Sequence, residues 1–500
     1  MMKKYKTLFS HHWVLLVILC IGLFLGLYQL DNLPAEMWGD ATAHYTLAQN
    51  VRHGFLFFNY QYGGDGPIYT YLVVFVSCFL GLSFYTLKFT SVLVYLLFIF
   101  VMYHLTDEIF KKKAITYIAS FLSAVSFWSV TFARQPHARM LVPLFIAITL
   151  LFAVKKKTAL SGISLGLGMY TQASFWAMPL IFWKRWKILL IGVVFTIPLV
   201  ISFVYGNVGF FTNQSYFGEK LATTDHYTFS QIAENLSSNV SANFFSFITR
   251  GDEGFRINVP NSPHLDTASA IFFFIGFLLL FYKSIKEKQM KYIEFILLPF
   301  LFIQIPSLLD IHNPQAQPNI GRMIGVIPFV YMTTAYGLSA TWRFVINRTI
   351  KDKQVVKVLY FICIMYLLLV IAAANIYKYF IIYPYFLPDH NTPFDRIITQ
   401  TINAYPSQIH SIVIGSGWGE WGQPEQQAII DEVNKQHHIT FIQPFTPKNQ
   451  LCLLLNNKTI VITNPTDTTD TATMATCNKT TTSYILQKNS FQVARVTEIK

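Results

Sequence analysis

Residues 31–67, DNLPAEMWGDATAHYTLAQNVRHGFLFFNYQYGGDGP, put a long polar stretch into a chain that is otherwise mostly apolar. They follow a span of about twenty apolar residues and precede a long apolar remainder. Of the 500 residues, 53% are hydrophobic and only 13% charged, with a mean hydropathy of +0.41. A soluble domain carries roughly 25% charged residues. The class these numbers define is a polytopic α-helical membrane protein. Its chemistry is then expected in the polar loops, of which 31–67 is the first.

The formal charge of +13 would suit nucleic acid, but the basic residues fall in short clusters between apolar spans. These clusters are Lys3/Lys4/Lys6, Lys111 to Lys113, Lys155 to Lys157, Lys184 to Lys187, Lys283 to Lys291 and Arg343 to Lys353. Such spacing is the positive-inside bias of a multi-pass membrane protein. It assigns the clusters to the cytoplasm and makes the lipid bilayer, not nucleic acid, the partner. Candidate spans are 13–30, 67–82, 86–106, 114–133, 140–154, 158–172, 174–185, 188–206, 267–284, 290–309, 321–342 and 354–377. Were 67–82 to cross, either the amino terminus or every later lysine cluster would face the wrong side. That segment therefore reads as a re-entrant or interfacial helix closing a first external loop, 31–85. About eleven transmembrane helices remain, with the amino terminus cytoplasmic and the first span an uncleaved anchor.

Residues 158–185 break at Tyr170-Thr171-Gln172-Ala173-Ser174, a break tolerated only inside protein or against a cavity. The external side then gathers loop 31–85, the turn Arg134 to Arg139, this break, loop 207–265, loop 310–320 and everything after about residue 378. Residues 1–377 read as the transmembrane module and 378–500 as a small extracytoplasmic α/β domain. In the latter, strands are expected at 411–415, 440–445, 459–463, 483–487 and 491–496, and helices at 393–404 and 424–436. An oxidising compartment lets disulfides persist, so Cys452 and Cys477 are expected to be bonded, two buried thiols being the alternative. Cys20, Cys78 and Cys363 lie in apolar segments and read as small buried hydrophobes.

Within loop 31–85, Asp40 opens a helical pattern, where it serves as an N-cap, as a catalytic carboxylate, or as both. His44 falls one turn later on the same face. It is placed either to orient and charge-balance Asp40 or as a solvated surface residue. The turn FARQPHARMLVP carries Arg134 and Arg139, and NIGRMIGVIP carries Arg322. Each is either a snorkelling interfacial arginine or part of a guanidinium fork for a lipid-linked phosphate. In ITRGDEGFRINVPNSPHLD, Arg250, Asp252 and Arg256 form a loop staple or touch substrate. No cluster has metal-ligand spacing and no paired-acid motif is present, so neither a metal nor a cofactor is expected.

Six motifs in order cover about residues 10–345: WGDATAHYTLAQNVRHG, DGPIYTYLVVFVSCFLGLS, FWSVTFARQPHARMLVP, LGLGMYTQASFWAMP, RGDEGFRINVPNSPHLD and GRMIGVIPFVYMTTAYGL. The series resembles the family 39-like GT-C membrane glycosyltransferases, among them protein O-mannosyltransferases and the lipid A aminoarabinose transferase. The resemblance implies a GT-C type membrane module and a polyprenyl-phosphate sugar donor. It also implies an aspartate of the first external loop that deprotonates the acceptor, and Asp40 stands at the matching position. Two residues depart from the family pattern, Ala41 where Glu is common and Trp176 where Arg is usual. The expected function is inverting transfer of a sugar from the polyprenyl-phosphate donor to an extracytoplasmic protein, lipid or cell-envelope glycan. Asp40 would be the base, with Asp65 and Asp252 next in line; His44, Arg134, Arg139, Arg250, Asp252, Arg256 and Arg322 would bind substrate. Two other readings stay open: a non-catalytic relative that binds a lipid-linked glycan, and a secondary transporter. Against the transporter stands the near absence of ionisable residues inside the spans.

Overall fold

The computed structural model describes residues 2–35, 40–60, 64–205, 227–311, 317–349, 353–387, 391 and 394–406. From 411 to 499 it describes five strands and a short helix with a few flanking residues. The helices are α1 (Met2–Leu27), α2 (Asp40–Arg52), α3 (Pro67–Leu80), α4 (Phe84–Phe110), α5 (Lys113–Val125), α6 (Phe127–Ala133), α7 (Leu141–Val154), α8 (Thr158–Gly168) and α9 (Trp186–Tyr205). They continue as α10 (Phe229–Phe245), α11 (Thr267–Lys286), α12 (Leu298–Phe302), α13 (Ile305–Leu308), α14 (Ile327–Thr349), α15 (Lys353–Tyr377), α16 (Phe394–Ala404) and α17 (Lys448–Leu454).

Among the described residues five helical segments are long and apolar enough to cross a membrane: α4, α9, α11, Ile324–Val345 and Val358–Phe386. The expected span 114–133 is two helices, α5 and α6, bent by 54°, and counted as one they make a sixth. The bend has a local cause. The Ser126 side chain accepts the Ser129 N–H and starts a new helix, while the Phe127 N–H donates to Asn375 Oδ1 at 2.8 Å. Shorter apolar helices fill the bundle, including Trp13–Leu27, Ala138–Val154, α8 and Ile293–Leu308. The last of these begins as a π turn and holds Pro299 and Pro306, each of which removes a backbone donor. The expected limb 174–185 is a 3-10 helix, Ala173–Phe182, with Pro179 inside it. Between α11 and α14 the backbones touch at Gly276 and Gly337: a Cβ on either would lie 2.0 Å from a carbonyl oxygen of the other helix. Close approach through small residues is how membrane helices gain packing energy where burial from water contributes little.

The carboxyl-terminal segment forms a five-stranded sheet: β1 (Ser411–Ile414), β2 (His438–Phe441), β3 (Thr459–Thr463), β4 (Thr481–Lys488) and β5 (Phe491–Ile499). Their order is β2-β1-β3-β5-β4, with β1 parallel to β2 and β3, and β5 antiparallel to β3 and β4. Phe394, Ile397, Ile398 and Ile402 of α16 close one face of the sheet over Ile412, Ile414, Ile460 and Ile462. Cys452 and Cys477 are disulfide-bonded, whereas Cys20 and Cys78 are exposed and not buried as expected. Most of the expected helix 424–436 lies outside the described residues.

The first polar loop is held at both ends. Ala35 N–H donates to Asn391 Oδ1 (2.6 Å), Asn391 Nδ2 to Asn32 O (2.9 Å), and Arg396 pairs with Asp31 at 2.6 Å. The buried ammonium of Lys88 on α4 donates to the carbonyls of Leu30 and Pro34. At the far end, α3 has 14 residues, about 21 Å of helix, against roughly 30 Å of hydrocarbon. It starts at Pro67, stops at Gly81 (φ 76°), and is tied to α4 by Tyr69, whose hydroxyl donates to Leu87 O at 2.8 Å. Chain entering and leaving α3 is therefore expected on one side of the membrane. Single cysteines at positions 59 and 82, in a background without Cys20, Cys78 and Cys363, should label with an impermeant maleimide from the same side; labelling from opposite sides would make α3 a span.

Candidate active site

Three segments distant in sequence converge on Asp65. His44 comes from α2, Asp65 precedes α3, and His137 lies in the turn between α6 and α7. His44 Nε2 stands 2.8 Å and His137 Nδ1 2.7 Å from the same oxygen, Asp65 Oδ2. The Ala138 N–H points at that oxygen from 3.4 Å, and Gln172 Nε2 donates to Oδ1 at 3.0 Å. The backbone agrees: residues 65 and 172 form a β-bridge, and Gly66 N–H donates to Thr171 O at 2.9 Å. Gly66 has no room for a side chain, since a Cβ would fall 2.0 Å from the Tyr170 carbonyl. The break at 170–174 is thus where the polar loop enters the bundle. His44, Asp65 and His137 are 1%, 1% and 7% exposed. Burial pushes the Asp65 carboxyl up, but the adjoining imidazoles of His137 and His44 outweigh it and hold the group well below the usual carboxylate range.

His44 is held by Thr70 and Asp65. Its Nδ1 faces Thr70 Oγ1 (3.3 Å) and its Nε2 faces Asp65, so both ring nitrogens are taken. Asp40 is the first residue of α2, as expected; its side chain lies outside the described residues. The fold brings together residues that sequence spacing keeps apart. His44, Asp65 and His137 are 21 and 72 residues apart in sequence, yet their ligand atoms lie within 4.8 Å of one another.

Arg134 and Arg139 share a turn and do different things. Arg134 is fully buried and reads as structural, contrary to the phosphate-fork expectation. Its Nη1 donates to Leu25 O (2.6 Å) and Gly26 O (3.0 Å), Nη2 to Leu33 O (2.9 Å) and Nε to the Tyr379 hydroxyl (3.1 Å). The two Nη1 bonds satisfy carbonyls that the end of α1 leaves open. Arg139, in contrast, packs its guanidinium against Gly321, where an added Cβ would lie 3.2 Å from Nη1. Its Nε is buried without an acceptor among the described residues.

Arg139 belongs to a second cluster with Asp252, Asp310 and Arg322. Asp252 accepts the N–H groups of Gly254 (2.6 Å) and Ile320 (2.8 Å). Burial pushes its carboxyl up to about 6, although those two N–H groups and the Arg139 and Arg322 charges pull the other way. Arg322 pairs with Asp310, which also accepts Gln317 Nε2 at 2.9 Å. Arg250 stays apart, paired with Glu253 and donating to Asn261 Oδ1. The expected staple of Arg250 with Asp252 is therefore absent among the described residues. Arg256 contributes its carbonyl, which accepts from Gln135 and Tyr383. His137, Gln172 and Asp310 were not singled out in the sequence. His137 lies inside the flagged turn, where only the arginines drew attention.

Beside the 170–174 break runs an apolar groove of about 370 Å³ between α8, the 3-10 helix and α9, lined by Leu165, Met169, Trp176, Leu189, Val193 and Ile197 among others. Trp176, at the position where the resemblance implied an arginine, donates through Nε1 to the Tyr60 hydroxyl, and Tyr60 donates to Met169 O. One end of the groove is thereby joined to the first polar loop.

No protein-family model and no curated protein sequence matches the chain. Solved structures do. ArnT from Cupriavidus metallidurans in the apo state aligns over 97% of this chain and 98% of its own, at 11% identity and a TM-score of 0.53. The same protein bound to undecaprenyl phosphate aligns with the same coverage and identity at 0.50. The archaeal oligosaccharyltransferase AglB from Archaeoglobus fulgidus, in complex with an inhibitory peptide and a dolichol-phosphate, aligns over 91% of this chain and 70% of its own, at 14% identity and 0.50. The chain thus has the fold of the GT-C membrane glycosyltransferases. The six-motif resemblance had pointed to that fold.

Two outcomes follow from this geometry. Arg134→Gln and Arg134→Lys should both lower the melting temperature without any substrate present, the Gln change costing roughly 3 kcal/mol or more of stability, since several buried carbonyls lose their donor. Melting at the wild-type temperature would remove the structural role. For Asp252, a folded pKa of about 6 exceeds the ordinary 3.8, so the fold binds that proton more tightly than the unfolded chain does. Its contribution to stability is full below about pH 4 and falls as pH rises through about 6. The melting temperature of the wild type relative to Asp252→Asn should accordingly fall between about pH 4 and pH 7; a pH-independent difference would contradict it.

Proposed function

We propose that this chain is an inverting glycosyltransferase that moves a sugar from a polyprenyl-phosphate donor to an extracytoplasmic acceptor. The observation that carries the reading is the buried Nε–H of Arg139, which has no acceptor among the described residues. A buried donor without a partner is costly, and an anion brought by a ligand would satisfy it. Contacts lead from the apolar groove through Trp176 and Tyr60 to the polar loop, and from Gln172 through Asp65 and His137 to the turn holding Arg139. Apolar groove and unsatisfied guanidinium together suit an amphiphile with a greasy tail and a phosphate head. ArnT has been crystallised with undecaprenyl phosphate and AglB with a dolichol-phosphate, and both share this fold.

In this reading the isoprenoid tail lies in the groove. Arg139 and Arg322 receive the phosphate, with Asp252 and Asp310 balancing them while the site is unliganded. Asp40 takes the proton of the acceptor hydroxyl as its oxygen bonds to the anomeric carbon. The bond from that carbon to the phosphate oxygen breaks, and its electron pair leaves on the phosphate. Phosphate is already a good leaving group and the arginines stabilise the charge it gains, so no general acid is required. The proposed topology has about eleven crossings, with the amino terminus cytoplasmic and the 378–500 segment extracytoplasmic.

The test uses the full chain in proteoliposomes with a labelled polyprenyl-phosphate sugar and cell-envelope extract as acceptor. Asp40→Asn should cut transfer by about 10²–10⁴-fold, with melting and donor binding unchanged, because Asn caps a helix about as well as Asp. Arg139→Ala should weaken donor binding. Wild-type transfer by Asp40→Asn would move the base elsewhere, and donor binding without turnover of any acceptor would favour a binding protein instead.

A further inference from the structure

We propose that His44, Asp65 and His137 form a binding site for one divalent transition-metal ion of the Zn²⁺ class. The proposal stands apart from the transferase reading and survives its failure. Two imidazole nitrogens and one carboxylate oxygen are a donor set for Zn²⁺, Co²⁺, Mn²⁺ or Fe²⁺, whereas Mg²⁺ and Ca²⁺ prefer oxygen ligands throughout. The three ligand atoms lie within 4.8 Å of one another and all three side chains are buried.

The surroundings orient two of the three ligands, His44 and Asp65. Thr70 Oγ1, itself buried, stands 3.3 Å from His44 Nδ1, which leaves Nε2 directed at Asp65. A hydroxyl can accept as well as donate, so Thr70 can take the Nδ1–H of the tautomer whose Nε2 lone pair faces a metal. Gln172 holds the other carboxylate oxygen, Oδ1, at 3.0 Å. Outer partners of this kind fix the ring and carboxylate orientations in metal sites.

The spacing needs adjustment at all three pairs, the two imidazole nitrogens now standing within 4.8 Å of each other. Both nitrogens now crowd one oxygen at 2.8 and 2.7 Å. Ligands of a tetrahedral ion bound at about 2.0–2.1 Å stand about 3.3 Å apart, so each N···O gap must widen by about half an ångström. The ion would take over the bridging that ring N–H groups now provide, with both rings neutral. Three protein ligands leave a fourth position for water or a ligand oxygen. The ion would tie α2, the start of α3 and the α6–α7 turn together. Because α2 begins at Asp40, four residues before His44, metal occupancy would also set where the loop carboxylate stands.

The experiment uses the full chain purified on a histidine-free tag, stripped with a chelator and dialysed. Uptake of about one Zn²⁺ per chain is expected by mass spectrometry of the metal. Co²⁺ should give the visible bands of a four- or five-coordinate site, and saturating Zn²⁺ should raise the melting temperature. His44→Gln and His137→Asn each keep an amide N–H where the ring N–H now meets Asp65, but remove a metal ligand. Both are expected to lose the stoichiometric metal and the Zn²⁺-dependent rise. A stripped wild type that takes up no metal, or cobalt spectra unchanged in both variants, would overturn the site. Should a variant fail to fold, the wild-type stoichiometry and cobalt spectrum decide alone, six-coordinate bands counting against it.

Discussion

The buried carboxylate of Asp65 is the constraint on which the polar half of the molecule depends. A carboxylate taken out of water costs several kcal/mol unless charge and hydrogen bonds replace its hydration. Here the replacements come from α2, the α6–α7 turn and the 170–174 break. Each of those segments belongs to a different part of the bundle. Satisfying one group therefore fixes three connections, and with them the start of α2 and the position of the turn that bears Arg139.

The same rule of complete satisfaction explains the two arginines of that turn. Helix ends within a membrane protein cannot leave carbonyls facing hydrocarbon. Arg134 supplies four hydrogen bonds to the end of α1, to Leu33 and to Tyr379, and its charge sits over the rings of Tyr379 and Phe380. It is consumed by the fold. Arg139, five residues later, is held by packing on Gly321 and Phe132, and its buried Nε–H has no acceptor among the described residues.

The apolar groove and the polar cluster meet because the chain breaks between α8 and α9. A continuous helix there would have satisfied its own backbone and offered Asp65 nothing. The break exposes the Thr171 carbonyl and the Gln172 side chain, and both are used by the first loop. It also turns Trp176 toward Tyr60.

Apolar runs and lysine clusters in the sequence sufficed for the membrane class, the break at 170–174, the short α3 and the presence of all five strands, β1 and β3 nearly to the residue, because hydropathy and turn chemistry are local. They sufficed also for a disulfide between Cys452 and Cys477, since the tail holds only two cysteines. The bend at Ser126, the proline-broken Ile293–Leu308 and the roles of the site residues were not legible. Arg134 and Arg139 are alike in sequence and differ only in which carbonyls the end of α1 brings within reach. His44 looks like a partner for Asp40 by helical period, yet the fold gives it to Asp65, 21 residues away. Spacing along a chain reports neighbours within one element; which elements meet is decided by packing and by the need to pair every buried charge.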